Sequence, residues 1–191
     1  MIIGILGPIG AGKTSSGKIF EKNGAYFINA DEVVEKLYEK KALGARKIEN
    51  FFGPEFLLSN GNVNRSKLRK VVFNNEKKLV ILNKIIHPLV TYEIQKIIDK
   101  HKKQHMVIEA IDFNEKFLGK FIDKLLMITC HEEIIKERLK KKKKIPVQEA
   151  MEIFKKQNFQ TPGIDAIIEN NKDEENLEKK IEKLMKKWAM I

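Results

Sequence analysis

Short apolar runs alternate with polar stretches of helical character along the chain. Five runs are rich in β-branched or aromatic residues and occupy positions 1–6, 26–28, 106–108, 125–129 and 166–168. Each run has the length of a strand, and continuous apolar runs are typical of strands buried on both faces of a parallel sheet. The pattern therefore predicts an α/β fold with five parallel strands.

The stretches between these runs have helical spacing. We predict helices over 14–23, closed by Gly24, from 33 to 37, and over 147–157. A last helix is predicted by the one-face spacing of four apolar residues, Leu177, Ile181, Leu184 and Trp188. Acidic residues at its start and lysines at its end match the helix dipole.

The middle of the chain, from about residue 51 to 100, is predicted to be helical. Three dipeptides interrupt the pattern and predict turns: Gly53-Pro54, Asn60-Gly61 and His87-Pro88. No internal repeat and no long linker divides the chain. We therefore expect a single domain over 1–191, with a parallel sheet covered on both faces by helices.

The composition excludes several classes of protein. The 191 residues are 42% hydrophobic and 33% charged, which is typical of a globular domain. No apolar run approaches the ~20 residues of a membrane span, and no secretion signal pattern is present. Cys130 is the only cysteine, which excludes an intramolecular disulfide and a cysteine-built zinc site. We expect a cytoplasmic protein without a membrane partner.

The net charge is strongly positive. Lys and Arg number 37 against 26 Asp and Glu, giving +11, with a sequence pI near 9.5. Such an excess favours nucleic acid, nucleotides or anionic lipid as partners. A lysine-rich surface unrelated to binding gives the same count, so charge alone does not identify a function.

Residues 7–14, which we call the phosphate-binding loop, match the pattern G-x-x-x-x-G-K-[ST] at every fixed position. Glycines allow backbone N–H groups to wrap a phosphate, and the helix that follows directs its positive end to the same place. Lys13 is predicted to contact the β- and γ-phosphates, and the Thr14 hydroxyl to bind Mg²⁺. A strand before and a helix after the loop favour this interpretation over a chance glycine turn.

A kinase acting on a small molecule also needs a carboxylate near the acceptor hydroxyl. Asp31 follows the second predicted strand at the carboxyl edge of the sheet, where ligands of α/β proteins bind. It could accept the hydroxyl proton, or it could instead be the N-cap of the next helix.

A cationic lid over the transferred phosphoryl group is a further requirement. The segment 136–144 carries one arginine, Arg138, among many lysines. Such a run fits a mobile lid that closes on ATP. A solvated face or a nucleic-acid patch is the alternative.

Several motifs occur in an order that resembles one family. They are the loop 7–14, Asn29-Ala30-Asp31, Gly61-x-x-x-Arg65-x-x-Leu68-x-x-x-x-Phe73, His87-Pro88-Leu89, and 165–170 with the sequence DAIIEN. In this order they resemble the dephospho-CoA kinases, from residue 1 to about 171. The resemblance implies a three-layer P-loop kinase fold with a helical CoA-binding segment at about 51–100 and a lid at about 136–157, bracketed by Arg138 and Gln157.

The resemblance also implies a reaction, namely transfer of the γ-phosphoryl group of ATP, with Mg²⁺, to the ribose 3′-hydroxyl of dephospho-CoA. Asp31 would be the catalytic base, with Lys13 and Arg138 stabilising the phosphoryl group and Thr14 holding the metal. Arg65 and His87 would bind the substrate. The ATP-binding residues would be Gly10, Ala11, Gly12, Lys13, Thr14 and Ser15 at the phosphates and Asn170 beside the adenine.

The chain departs from the family pattern at four places. Asn29 replaces the first Asp of D-A-D, and Lys142 stands where a second lid arginine is common. Pro8 removes one N–H from the phosphate-binding loop. The family's P-L-L-[FV]-E stretch is replaced, so that its acidic residue corresponds to Glu109 or Asp112.

Two other functions remain open at the level of sequence. One is another small-molecule or nucleotide P-loop kinase, and the other, less favoured, is an ATP-dependent nucleic-acid-binding protein. A guanine-specificity motif N-K-x-D is missing, which disfavours a switch GTPase. We expect a monomer or a weak homo-oligomer.

Overall fold

The computed structural model describes residues 1–73, 75–142, 147–156 and 163–191. The chain forms two compact units, one from Met1–Asn29 with His101–Ile191 and the other from Ala30–Lys100. The strands are β1 (Ile2–Leu6), β2 (Tyr26–Asn29), β3 (Met106–Glu109), β4 (Lys124–Thr129) and β5 (Ala166–Glu169). The helices are α1 (Lys13–Lys22), α2 (Ala30–Leu37), α3 (Leu43–Phe52), α4 (Arg65–Phe73), α5 (Glu76–Lys100), α6 (Glu132–Lys142), α7 (Val147–Lys156) and α8 (Glu174–Lys187).

The first unit is built on a parallel five-stranded sheet in the order β2-β3-β1-β4-β5. All five predicted strands and the α/β class are confirmed. The central strand β1 and its neighbour β3 are almost fully buried, which explains why their sequences show no alternation of polar and apolar positions. The carboxyl ends of the parallel strands meet at one edge of the sheet, where the loop after β1 begins.

Helices α1 and α8 pack together and share one hydrophobic core with the sheet. Phe20 of α1 and Ile181 of α8 are completely buried in it. Asp173 caps α8 by accepting a hydrogen bond from the Asn176 N–H at 2.9 Å. The predicted amphipathic helix at the end of the chain is thus confirmed, with the predicted charge distribution.

Helices α6 and α7 pack against each other through a small cluster of buried side chains, Ile135, Leu139, Ala150 and Met151. Most of α6 and all of α7 fall within the segment from about 136 to 157 that was predicted as a lid. Lys143, Lys144 and Gln157, and the side chain of Lys142, lie outside the described residues. The lid therefore stays a prediction.

The second unit is helical. Helix α5 contacts α2, α3 and α4 and is its central element. The unit runs from Ala30 to Lys100 and includes both the helix predicted from 33 to 37 and the stretch from about 51 to 100. The predicted turn at Asn60-Gly61 is confirmed, since Leu57 and Val63 form an antiparallel bridge around it. Helix α3 ends at Phe52, and a short 3-10 helix follows at Pro54–Phe56, as the Gly53-Pro54 signal indicated.

The turn predicted at His87-Pro88 is wrong, because α5 continues through Pro88 for 25 residues. A proline inside a helix removes one backbone hydrogen bond and crowds the preceding turn. The buried residues Ile86 and Val90 lie on either side of Pro88, and Ile94 and Ile98 continue the same buried stripe. Tertiary packing of this stripe outweighs the local preference.

Candidate active site

The phosphate-binding loop connects β1 to α1 and bends through three glycines with positive φ, Gly7, Gly10 and Gly12. Gly12 is the N-cap of α1 in the left-handed conformation, with φ 105° and ψ 24°. Since glycine has no side chain to cap the helix, the first N–H groups of α1 are left to a ligand or to solvent. A helix start of this kind is a binding place for an anion such as a phosphate.

Lys13 folds back over the loop. Its Nζ donates to the carbonyl oxygens of Gly7 at 2.8 Å and Pro8 at 3.3 Å. The side chain is half-buried. An ammonium has three donors, so the same group can exchange these carbonyls for phosphate oxygens when a nucleotide binds.

A buried carboxylate lies next to the loop at the end of β3. Glu109 is only 7% exposed. Its Oε1 accepts from the Thr14 hydroxyl at 3.0 Å, and its Oε2 accepts from the Asn29 Nδ2 at 3.2 Å. The alternative acidic residue, Asp112, is exposed and lies beyond the end of the strand. Of the two, Glu109 is the one that the fold joins to the phosphate-binding loop.

The donor set around Thr14 fits a magnesium ion. Hydroxyl and carboxylate oxygens are ligands that Mg²⁺ accepts, and Mg²⁺ in kinases usually takes one or two carboxylates together with substrate phosphates. Among the described residues, no three His, Cys, Asp or Glu side chains lie close enough together to hold a metal ion. A cation at Thr14 and Glu109 would therefore need further ligands from outside the described side chains.

Two polar side chains brace the loop from its other side. Asn170, just after β5 and 6% exposed, donates from Nδ2 to the Ala11 carbonyl at 2.8 Å. Arg138 of α6 donates from Nη1 to the same carbonyl at 3.4 Å and from Nη2 to the Asn170 Oδ1 at 3.4 Å. Its Nη2 also donates to the Lys172 carbonyl at 3.1 Å. The predicted lid cation and the predicted adenine-side residue are therefore linked to each other and to the loop.

Cys130 completes this second group of contacts. Its Sγ donates to the Asn170 carbonyl at 3.1 Å and accepts from Arg138 Nη1 at 3.5 Å. Burial raises the pKa of the Cys130 thiol, an effect only partly opposed by Arg138. The thiol thus stays neutral and has a packing role, as its place at the end of β4 indicates.

The helical unit holds the remaining predicted site residues. Asp31 is exposed and lies in the first turn of α2, which begins one residue before it. Helix capping from the N-cap position therefore does not account for this carboxylate. His87 is half-buried in α5, where its carbonyl accepts from the Thr91 hydroxyl at 2.8 Å.

Arg65 is the first residue of α4 and forms an ion pair with Glu35 of α2, with Nη1 and Oε1 2.5 Å apart. The positive charge of this guanidinium also acts on the Tyr38 hydroxyl. Burial raises the pKa of Tyr38 to about 12, with Arg65 acting in the opposite direction. The Glu35 partner was not foreseen from the sequence, and the i, i+30 separation carries no local signal for it.

A phosphate-binding loop after the first strand of a parallel sheet, a hydroxyl directly after its lysine and a carboxylate on the neighbouring strand together are typical of P-loop nucleotide-binding proteins. The family model for dephospho-CoA kinase matches residues 1–176. The chain belongs to the dephospho-CoA kinase family, and the resemblance stated from its motifs is confirmed.

Individual relatives agree with this family. A dephospho-CoA kinase of Fusobacterium nucleatum is 34% identical over 186 residues, covering 96% of each chain. A Thermus thermophilus protein of known crystal structure matches with a TM-score of 0.81 at 19% identity, over 98% of this chain and 97% of that one. The dephospho-CoA kinase from Campylobacter jejuni matches with a TM-score of 0.61 at 22% identity, over 97% and 96%. The two structures support the fold.

Spanning a membrane is a separate question. Of the helices in the described part of the chain, none combines the length and the hydropathy that crossing a lipid bilayer requires.

Proposed function

We propose that this protein transfers the γ-phosphoryl group of ATP to the 3′-hydroxyl of the dephospho-CoA ribose, producing coenzyme A and ADP as the last step of CoA biosynthesis. The match to the dephospho-CoA kinase family over residues 1–176 carries the proposal. The link from the phosphate-binding loop to a buried carboxylate through Thr14 and Glu109 supports it independently.

The loop and the start of α1 bind the ATP phosphates. Backbone N–H groups from Gly10 to Ser15 surround the β- and γ-phosphates, and Pro8 contributes none. Lys13 exchanges its contacts with the Gly7 and Pro8 carbonyls for phosphate oxygens. The positive charge of Lys13 then stabilises the negative charge on the transferred phosphoryl group.

Magnesium is the metal that this donor set fits, with the Thr14 hydroxyl and the Glu109 carboxylate as its protein partners. When bound, the ion would neutralise charge on the phosphates. Glu109 itself is kept in place by Thr14 and Asn29.

Asp31 accepts the proton of the 3′-hydroxyl as its oxygen attacks the γ-phosphorus. The bond between the γ-phosphorus and the β,γ-bridging oxygen breaks, and ADP leaves with that electron pair. Arg138, held at the loop by the Ala11 carbonyl, supplies a cation from the lid side. Asn170 fixes the neighbouring backbone, and the adenine lies beside it.

Arg65 and His87 of the helical unit bind the CoA portion of the substrate. The guanidinium of Arg65 is planar and can donate two parallel hydrogen bonds to a phosphate. In the absence of substrate its ion pair with Glu35 keeps it in position, and a substrate phosphate replaces the Glu35 carboxylate. The protein acts in the cytoplasm, as a monomer or a weak homo-oligomer.

A substrate panel tests the proposed acceptor. ADP release is followed by a coupled assay with dephospho-CoA, with nucleosides and with nucleoside monophosphates. We expect turnover with dephospho-CoA and only background with the others. A nucleoside or nucleotide turned over faster than dephospho-CoA would assign the chain to a different phosphotransferase.

The proposed base is tested by Asp31→Asn, which keeps the size of the side chain and removes its basicity. We expect ATP affinity within about twofold of the wild type and turnover reduced by about 10²- to 10⁴-fold. Glu32→Gln, the same kind of change at the neighbouring exposed position, is the control. Unchanged turnover in Asp31→Asn would refute the assignment of the base.

A further inference from the structure

The Glu109 carboxylate is held by two neutral donors at once. Thr14 donates its hydroxyl to Oε1 at 3.0 Å, and Asn29 donates its amide to Oε2 at 3.2 Å. Only the NH₂ group of an asparagine can donate to a carboxylate, so this contact also fixes which way the amide faces. Glu109 is 7% exposed, and a carboxylate with so little access to water depends on such hydrogen bonds.

The sheet register puts Asn29 and Glu109 next to each other. They are paired Cα positions at the ends of the parallel strands β2 and β3. Their side chains are in hydrogen-bond contact, and two like charges at such a separation would repel each other. An aspartate at position 29 would face Glu109 with a second carboxylate, whereas Asn29 faces it with a donor.

We propose that Asn29 is a positioning residue: its amide holds the Glu109 carboxylate toward Thr14 and adds no negative charge to this cation site. The inference deepens the proposed function, because it concerns the metal that accompanies the nucleotide at the same site. It applies to this chain, in which asparagine replaces the first acid of the D-A-D pattern.

The consequence is the order in which metal and nucleotide bind. Mg²⁺ loses its water reluctantly and is usually held by one or two carboxylates together with substrate phosphates. With asparagine at position 29, Glu109 and Thr14 bind a divalent cation only weakly until ATP adds its phosphate oxygens. With aspartate at position 29, two carboxylates and a hydroxyl would hold the cation before ATP arrives.

Nucleotide-free Mn²⁺ binding tests the proposal directly. Free Mn²⁺ is measured by electron paramagnetic resonance while it is added to the wild type and to Asn29→Asp. We expect the variant to bind Mn²⁺ more tightly by on the order of tenfold, because a unit charge is added beside a doubly charged ion. Asn114→Asp is the matched control, since it adds the same charge at an exposed position whose side-chain oxygen keeps its acceptor role toward the Lys116 N–H.

Thermal unfolding gives a second reading of the same change. In a chelator, Asn29→Asp is expected to melt about 2–4 °C below the wild type, a drop of the size expected for one repulsive pair in a chain of this length. Added Mn²⁺ restores the melting temperature of Asn29→Asp but leaves the wild type and Asn114→Asp unchanged. If Asn29→Asp folds only with Mn²⁺ present, that result also supports the proposal.

Asn29→Ala separates positioning from charge. Removing the amide frees Glu109 without adding a charge, so Mn²⁺ binding measured at saturating ATP is expected to weaken by about three- to tenfold. Asn114→Ala should leave it unchanged. A merely structural role of Asn29 would not move metal affinity in opposite directions in the alanine and aspartate variants.

Equal nucleotide-free Mn²⁺ affinity in the wild type and Asn29→Asp overturns the inference. So does unchanged Mn²⁺·ATP affinity in Asn29→Ala, which decides the matter if the aspartate variant does not fold at all. Neither measurement involves an acceptor substrate. A protein that shows these shifts but does not phosphorylate dephospho-CoA would refute the proposed function and leave the role of Asn29 standing.

Discussion

Gly12 lies where the phosphate-binding loop meets the side chain of Asn170. Its φ of 105° is in the left-handed region, and a Cβ built on it would overlap the Nδ2 atom of Asn170. The same Nδ2 is the donor that holds the Ala11 carbonyl. Glycine is therefore needed here for two reasons, the backbone conformation and the close approach of the amide.

These two reasons can be separated by substitution. Gly24 also has a positive φ, 94°, but a Cβ built there meets no atom within 4 Å. Gly24→Ala should lower the free energy of unfolding by about 1–2 kcal/mol, which is the strain alone. Gly12→Ala should cost a further ~1–3 kcal/mol because Asn170 must move, and it should weaken ATP binding.

Urea unfolding of both variants, together with titration of ATP, measures this difference. Equal losses of stability in the two variants would mean that the Asn170 side chain can move aside at no cost in free energy and that its hydrogen bond to Ala11 does not stabilise the loop.

The chemistry of Lys13 and Thr14 could be predicted from sequence because the phosphate-binding loop is a local pattern. Its acidic partner could not be chosen, since Glu109 and Asp112 are three residues apart and sequence gives no strand register. The register pairs Glu109 with Asn29 at the end of β2. The two residues are 80 positions apart. Their pairing shows what an asparagine at position 29 does, namely donate a hydrogen bond to Glu109, which the motif alone could not show.

At the scale of elements, the five strands were predictable because each is a short, continuous apolar run. Helix α8 was predictable because its apolar residues repeat on one face and its charges follow the dipole. The continuous helix α5 was not. Proline is a local signal for a break, and the packing of Ile86, Val90 and their neighbours on the rest of the unit acts over a longer range.

The start of β5 is fixed to β4 by one side chain. Asp165 accepts from the Lys124 ammonium through Oδ1 and from the Leu125 N–H through Oδ2, both at 2.8 Å. Two hydrogen bonds lower the pKa of Asp165 below its usual value. The bond from Lys124 has the larger effect and the bond from the Leu125 N–H the smaller one. The folded state therefore favours the charged carboxylate more than the unfolded state does.

This pKa shift predicts how stability depends on pH. The contribution of Asp165 is present above the usual carboxyl pKa and is lost as the pH falls through the lowered pKa of the folded state. Asp165→Asn should lower the free energy of unfolding at about pH 7 by only ~0.5–1 kcal/mol, because the ion pair is partly exposed.

The comparison is made by urea unfolding from about pH 7 down to about pH 2.5, across the titration of carboxylates. The gap between wild type and Asp165→Asn should narrow toward the acid end. Asp112→Asn, at an exposed position, should show no such gap. A gap that is constant with pH would show that the charge of Asp165 does not contribute.

At the scale of the whole molecule, the chain divides into two compact units. The sequence contains no linker, which is why one domain was expected, and that expectation stays a prediction. The helical unit begins at Ala30, directly after β2, and the chain re-enters the first unit at His101. A unit inserted between two strands in this way needs no linker and leaves no compositional signal.

The net charge of +11 belongs to the same scale. ATP and dephospho-CoA are both polyanions, so a positive protein attracts them, and salt screens this attraction. We expect kcat/KM for dephospho-CoA to fall about three- to tenfold between roughly 0.01 M and 0.15 M ionic strength, where the Debye length falls from about 30 Å to about 8 Å.

The measurement is a set of initial rates at constant pH and magnesium, with an uncharged osmolyte as the control. Most of the change should be in KM, because kcat describes the complex after the substrate has arrived. Values of kcat/KM that do not depend on salt would mean that the surface charge has no part in substrate capture.

Transfer of a labelled phosphoryl group tests the central claim most directly. ATP labelled at the γ-phosphate is incubated with the protein and dephospho-CoA, and the product is treated with an enzyme that removes only 3′-phosphates. The account predicts that the label moves from ATP to the CoA product and is then released completely as phosphate. Label that remains in ATP, or that reaches inorganic phosphate whether or not dephospho-CoA is added, would contradict it.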